Sequence, residues 1–377
     1  MKITQLNPAL TKGGAEKVLV DLANIAVHNG HEVSIVSARA VDPALLQDQI
    51  DPSVSLHFVT ERDSGKGASY AAMLPWLARN WHWLSQQDVV HCHLTYGALL
   101  GSALRFWRSI KGGAKPRIVE TFHGVGMPIR PWQRTLAALQ AAACRDGYAL
   151  MAEDEYWREF SKGHPFLPLA VIPNGIAVPP KSSKAERLAY RREAGIPDTA
   201  PLIGTVGRLR AERNPMATLA AFAEAARLIG PDVHFLIAGD GPMTEAVRAE
   251  SGRIGLGERL HLPGLAVEPW VAAATMDIYV SMNVGPITGI AGLEAASAGI
   301  PVIALQATAD YAVKDGDWIW SDPDPAKVGA EAARLMNSPK ERAALGKRQA
   351  GYVKQNHSAK AMSDAYMELY ARAGASG

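Results

Sequence analysis

At 377 residues, with 48% hydrophobic and 20% charged side chains, the chain exceeds one ordinary core and has a globular composition, so two domains are expected. Lysine and arginine number 39 against 37 acidic residues, which argues against a nucleic-acid partner held by a phosphate-neutralising field. The two cysteines, Cys92 and Cys144, offer neither a disulfide framework nor a zinc ligand set, so they are expected to be buried packing residues in a reducing compartment.

The chain opens with a short apolar strand that carries polar Thr4 and Gln5. It has no h-region or cleavage site, and no apolar stretch approaches the roughly 20 residues needed to span a bilayer. The expected location is cytoplasmic, with membrane contact only peripheral, at the inner face. Gly13-Gly14-Ala15-Glu16 follows that strand and opens a helix. Two glycines there let backbone N–H groups approach an anion, although a tight strand-to-helix turn explains them equally. The pattern is not the GxGxxG fingerprint, which argues against a nicotinamide dehydrogenase.

Short β-branched runs then alternate with helical patterns: His31–Ser37, Asp88–Cys92, Arg117–Thr121, Ala170–Ile172, Leu202–Val206, Val233–Ala238, Ile278–Ser281 and Val302–Leu305. Such alternation predicts α/β domains with parallel sheets and crossover helices. His91 and His93 lie two apart on one strand and share a face, but no third ligand stands at a convincing spacing for a metal. His123, in Thr121-Phe122-His123-Gly124, falls at a strand end, where it can donate a hydrogen bond, carry a charge near neutrality, or simply pack. Trp76, Trp81, Trp83, Arg105, Phe106, Trp107, Arg108, Lys111, Lys115, Arg117, Arg130, Trp132 and Arg134 mix aromatics with positive charge. They suit an anionic lipid surface, or else a core edge with solvated cations.

The series pauses between Ala177 and Ala200, where prolines and Lys181-Ser182-Ser183-Lys184 precede a charged helical stretch, and the boundary is placed there. Beyond it, Gly204-Thr205-Val206-Gly207-Arg208-Leu209 ends a strand, with Arg213 close behind. Two guanidiniums at the carboxyl end of a parallel strand can clamp a diphosphate, or else stand as solvated surface arginines. Ala238-Gly239-Asp240-Gly241-Pro242 reads as turn chemistry before a helix near Met243. Ser281 to Val302 holds the most information: a loop leads through Thr288-Gly289-Ile290 into a helix that carries Glu294 one turn in and closes at Gly299. The free N–H groups of Gly289 and Ile290 can face a phosphate, and Glu294 can accept hydrogen bonds from the two hydroxyls of a ribose. A helix with one capping or buried Glu is the plain alternative. Ser358 to Ala373 spaces Ala361, Met362, Ala365, Tyr366, Leu369 and Tyr370 as a one-sided helix.

As an ordered series these motifs, with Asp88-Val89-Val90-His91-Cys92-His93 and Ile172-Pro173-Asn174-Gly175-Ile176, resemble the retaining glycosyltransferases of family 4, of GT-B fold. The resemblance implies two facing Rossmann-like domains with an interdomain cleft: residues 1–178 joined by the helix 358–377 for the acceptor, and 179–357 for the nucleotide-sugar. It implies that Arg208 and Arg213 hold the diphosphate, Glu294 binds ribose, and His123 approaches the transferred sugar. Gly13, Gly14, Asn174, Gly207, Gly239, Thr288, Gly289 and Ile290 complete the implied donor site, with no metal or other cofactor. The implied partners are a UDP- or GDP-sugar donor and a saccharide acceptor, lipid-linked, in cell-surface polysaccharide synthesis. Two positions depart from the family: Arg213 replaces a common Lys, and Pro286 replaces a Glu that grips the donor sugar. A catalytically degenerate nucleotide-sugar binder or partner subunit is therefore the alternative.

Overall fold

The computed structural model describes residues 1–11, 13–39, 49–60, 65–123, 131–266, 268–281, 289–305 and 318–375. It divides into two compact units, Met1–Ala177 with Ala359–Gly377, and Val178–Ser358.

In the first unit, strands β1 (Lys2–Ala9), β2 (Glu32–Arg39), β3 (Ser55–Thr60), β4 (Val89–His93), β5 (Arg117–Phe122), β6 (Gly147–Leu150) and β7 (Leu169–Val171) form one sheet. Their order is β3-β2-β1-β4-β5-β6-β7 and every pairing is parallel. Central β4 is buried at all its positions, as expected where crossover helices cover both faces. Helix Leu94–Lys111 comes close enough to β1 that a Cβ on Gly97 would lie 2.6 Å from the Leu6 carbonyl oxygen. Buried Leu6, Val90, Leu100 and Ile118 pack together there, each such side chain contributing about 1.5–3 kcal/mol.

Helix Ala359–Ala375 completes this unit rather than the second. The Ala359 N–H donates to the Ile176 carbonyl at 2.9 Å, and buried Tyr366, Leu369 and Tyr370 pack its inner face toward β5 and β6.

The second unit opens with helix Lys184–Glu193, whose start is fixed by a capping box. The Ser183 hydroxyl accepts from the Glu186 N–H at 3.1 Å, and the Glu186 carboxylate accepts from the Ser183 N–H at 2.6 Å. Strands β8 (Leu202–Val206), β9 (His234–Ala238), β10 (Leu260–His261), β11 (Ile278–Ser281), β12 (Val302–Leu305) and β13 (Trp320–Asp322) follow. They pair in parallel in the order β10-β9-β8-β11-β12-β13. Phe222 stacks on Phe235 at 4.8 Å inside a core of Ile203, Ile237, Val280 and Ile303.

Four strands escape the sequence pattern. β3 is half exposed with Ser55 and His57 on it, β6 begins with a glycine, β10 has two residues, and β13 is Trp-Ser-Asp. The aromatic and basic belt also needs correction. Trp76 is buried, Trp81, Trp83 and Trp107 pack against the core, and Arg108 is buried in an ion pair with Asp146 at 2.8 Å. Their indoles supply core volume, because the helices carrying them turn that face to the sheet. Cys92 is buried as expected, whereas Cys144, at the end of helix Pro131–Cys144, is half-buried.

Candidate functional site

In an open parallel sheet a ligand crevice forms beyond the carboxyl ends of the strands, where successive connections run to opposite sides. In the second unit that point lies between neighbours β8 and β11. After β8, Leu209 is fully buried while Arg208 and Arg210 are exposed on either side of it. The turn Ala211–Arg213 then presents Arg213, and Asn214, in a left-handed conformation (φ 46°), starts helix Pro215–Ile229. Burial lowers the Arg213 pKa from the usual arginine value and the positive charge of Arg208 lowers it further, while Tyr279 and Glu212 oppose both. Arg213 is exposed over its surface as a whole and stays charged. Arg208 and Arg213 thus feel each other as like charges, an arrangement that an anion relieves.

After β11 the chain re-enters helix Ile290–Ser297 through Gly289, which has no side-chain cap. The N–H groups of Gly289 and Ile290 precede the first intrahelical bond, which runs from Gly292 N–H to the Gly289 carbonyl at 2.9 Å. Glu294 is buried one turn in. On β11 stands Tyr279, whose hydroxyl donates to the Val206 carbonyl at 3.1 Å and accepts from the Val206 N–H at 3.3 Å, joining β11 to β8. Glycine is required at the neighbouring turn. A Cβ on Gly239 would fall 2.8 Å from the Gly207 carbonyl carbon and closer still to its oxygen. The Gly207 N–H meanwhile donates to the Ala238 carbonyl at 3.1 Å.

In the first unit the equivalent point lies between β1 and β4. Gly13 is the uncapped residue before helix Gly14–His28, and Leu94, immediately after β4, holds a strained positive φ of 57°. Around this point runs a continuous polar chain. The Thr121 hydroxyl contacts Tyr366 at 2.7 Å and the His91 Nε2 at 2.8 Å, and the Tyr370 hydroxyl meets His91 Nδ1 at 2.7 Å. His93 bonds the Gln5 Oε1 through Nε2 at 2.8 Å and the His123 Nε2 through Nδ1 at 3.0 Å. Burial pushes the pKa of His91 down to about 3 and of His123 to about 4, and that of His93 well below its usual value, so all three are neutral at pH 7. Every ring nitrogen of His91 and His93 is engaged with another side chain. Among the described residues no cluster of three or more His, Cys, Asp or Glu side chains could hold a metal ion.

Both units match glycosyltransferase profiles. Residues 12–178 match the profile described as Glycosyltransferase Family 4, and residues 186–365 match Glycosyl transferases group 1. The chain belongs to the family 4-like glycosyltransferases of GT-B fold. It is 32% identical to the 2-deoxystreptamine glucosyltransferase of Streptomyces kanamyceticus over 141 residues, which is 37% of this chain and 35% of that protein. It is 26% identical to the alpha-monoglucosyldiacylglycerol synthase of Streptococcus pneumoniae over 140 residues, 36% of this chain and 32% of that one. The chain thus spans about a third of the length of these curated relatives. In three dimensions it superposes on the Anabaena protein Alr3699/HepE, solved with UDP and glucose. The TM-score is 0.78 at 16% identity, covering 98% of both chains, a likeness of fold.

Of the residues that the family resemblance singles out, Gly13, Gly14, His123 and Asn174 fall in the first unit. Gly207, Arg208, Arg213, Gly239, Gly289, Ile290 and Glu294 fall in the second, the first four just after β8 and β9 and the last three at and within helix Ile290–Ser297. Asn174 follows edge strand β7, in the segment whose Ala177 N–H reaches Asp21 of helix Gly14–His28. Thr288, with Pro286 and Asn283, lies outside the described residues. His123 is neutral, which removes the charged alternative considered for it. The sequence gives no sign of Tyr279 as a site residue, and it marks Gln5 and Thr121 only as polar strand positions and Tyr366 and Tyr370 only as one face of the last helix.

Proposed function

We propose that this family 4-like glycosyltransferase transfers a sugar from a nucleotide diphosphate sugar to an acceptor hydroxyl, with retention at the anomeric carbon. The reading is supported by topology and charge: the exposed Arg208 and Arg213 follow β8, helix Ile290–Ser297 follows its neighbour β11, and Tyr279 on β11 feels the charges of both Arg213 and Glu294. In the reaction the bond from the anomeric carbon to the leaving phosphate oxygen breaks, and one to the acceptor oxygen forms. The acceptor proton passes to the departing phosphate. Charge then builds on the diphosphate, where fixed guanidiniums and helix N–H groups stabilise it without a metal. Glu294 binds the ribose, and His123 meets the transferred sugar. UDP and glucose in the Anabaena neighbour support a uridine nucleotide as the first donor to test.

We assign the acceptor to lipid-linked saccharides at the inner membrane face, in cell-surface polysaccharide synthesis. Phe106 and Ile110 of helix Leu94–Lys111 are 68% and 65% exposed, and Trp132, Leu136 and Leu139 of helix Pro131–Cys144 are 59%, 58% and 60% exposed. These helices lie side by side, the Gln140 amide donating to Ser102 at 2.8 Å, and Arg105, Lys111 and Arg134 accompany them. No helix among the described residues is long and apolar enough to cross a membrane. An apolar face rimmed by cations suits an anionic lipid surface, and the pneumococcal relative is named for a glycolipid product.

A thermal-shift screen of UDP-, GDP-, ADP- and dTDP-sugars tests the donor. At a hundredfold excess over Kd a specific ligand adds about 2.7 kcal/mol to native stability. If no nucleotide sugar stabilises the protein, the reading fails. Binding without transfer to any acceptor supports instead the catalytically degenerate reading that Pro286 raises. Phe106→Glu with Leu136→Glu is expected to abolish sedimentation with anionic vesicles while leaving donor binding intact, and a wild-type protein that ignores such vesicles at low salt refutes the membrane assignment.

A further inference from the structure

The buried chain that ends on His123 has an order of protons that its chemistry dictates. Gln5 is oriented by two contacts. Its amide hydrogen-bonds the Tyr370 hydroxyl and favours the phenolate there, as an N–H donor does, so the phenol oxygen takes the Gln5 Nε2–H. The Gln5 Oε1 is thereby turned to His93 Nε2, 2.8 Å away, and an amide oxygen only accepts. His93 must carry its proton on Nε2. Its Nδ1 is then a lone pair, which takes the proton of His123 Nε2 at 3.0 Å. His123 is left with its Nδ1 unprotonated.

We infer that His93 is a positioning residue that locks His123 in the Nε2–H tautomer through the contacts Tyr370–Gln5–His93–His123, so that His123 Nδ1 accepts a hydrogen bond from a hydroxyl of the bound sugar. The sugar contact rests on the proposed glycosyl transfer; the lock itself does not. Burial supports the lock, because neutral rings are the only form the apolar surroundings tolerate, and a neutral imidazole has one donor and one acceptor. His93 is 1% exposed and Gln5 1% exposed, so water does not compete for the bond between them. Tyr370 lies on helix Ala359–Ala375, which makes the far end of the chain part of the lock.

Long-range proton–nitrogen NMR of the nitrogen-15-labelled full chain reads the tautomer directly, with His123→Asn identifying the signals. The wild type is expected to show His123 protonated only at Nε2. In His93→Asn the Asn carbonyl oxygen can stand near the former Nδ1, and the tautomer is expected to persist. In His93→Leu the acceptor is gone, and His123 is expected to exchange between both tautomers. In transfer assays His93→Leu is expected to lose about tenfold in kcat, the worth of one well-made hydrogen bond, and His93→Asn to recover most of it. Donor KM is expected to stay within about twofold in both variants. Should His93→Leu fail to fold, Gln5→Met releases the same ring and carries the same expectation. A wild-type His123 protonated at Nδ1, or a tautomer unmoved in His93→Leu and Gln5→Met, overturns the lock. Absence of transfer with every donor would sink the proposed function while the NMR result still decides the lock.

Discussion

Replacing Gly239 by alanine adds a single methyl group where the backbone after β9 presses on the backbone after β8. The new Cβ would lie 2.8 Å from the Gly207 carbonyl carbon, so one of the two turns must move. Two backbone bonds hold those turns together, Gly207 N–H to the Ala238 carbonyl at 3.1 Å and Leu209 N–H to the Asp240 carbonyl at 3.0 Å. Losing both costs about 0.5–1.5 kcal/mol each, and overpacking adds about 1–3 kcal/mol, for a total of about 2–6 kcal/mol. In a unit of this size each kcal/mol lowers Tm by about 2–4 °C, so calorimetry should find a fall of at least about 4 °C. Because Arg208 follows Gly207 directly, affinity for the stabilising nucleotide sugar is expected to fall in the same variant. Gly252→Ala is the control: that glycine sits in helix Thr244–Arg253 with nothing within 4 Å of its would-be Cβ, and the change is expected to stabilise by about 0.4–1 kcal/mol. A Gly239→Ala protein with wild-type Tm and donor affinity would refute the account of this turn.

Acidification should unfold the first unit early. His91, His93 and His123 have folded pKa values below the usual histidine value, so the unfolded chain binds more protons. Their contribution is complete above pH about 6.5 and is lost as pH falls toward 4, at about 1.4 kcal/mol per pH unit for each ring; urea midpoints that stay level between pH 7 and 5 would contradict this. Arg145 is fully buried against Glu120 at 2.5 Å, and Glu120→Ala is expected to cost about 3–5 kcal/mol by stranding that charge. The double change Glu120→Leu with Arg145→Met should recover most of the loss in denaturant titrations. Arg213→Ala is expected to weaken nucleotide-sugar binding by roughly ten- to a hundredfold, the worth of a charge-assisted hydrogen bond, and Arg213→Lys by much less. Equal affinities for the two variants in calorimetric titration would remove Arg213 from the diphosphate site.

Strands such as β8, β9 and β12 were legible because burial on both faces fills them mostly with Val, Ile, Leu and Phe. Edge strands such as β3 and β13 need only one apolar face, and their Ser, His and Asp residues hide them. The loops after β8 and β11 were legible for another reason: glycines, arginines and a helix-borne Glu at fixed offsets from a strand state both a backbone constraint and a chemistry. The histidine chain was only half visible. Alternation on β4 puts His91 and His93 on one face, yet the partner that completes His91 is 279 residues away and the one that completes Thr121 is 245 away. Contacts of that separation leave no local pattern. The same holds for Tyr279, which looks like one more aromatic in an apolar strand until the β8/β11 pairing brings it to Val206.

Helix Ala359–Ala375 has a bearing on how the protein comes into being. Synthesis delivers the seven strands of the first unit early, then the whole of Val178–Ser358, and only afterwards the helix that covers β5 and β6. Domains ordinarily fold in the order in which they are made. Here the first unit waits, with Thr121, His91 and Gln5 lacking their tyrosine partners, while the second unit has all of its residues in hand. The second unit can therefore finish first, and the helix made after it closes the network around His123.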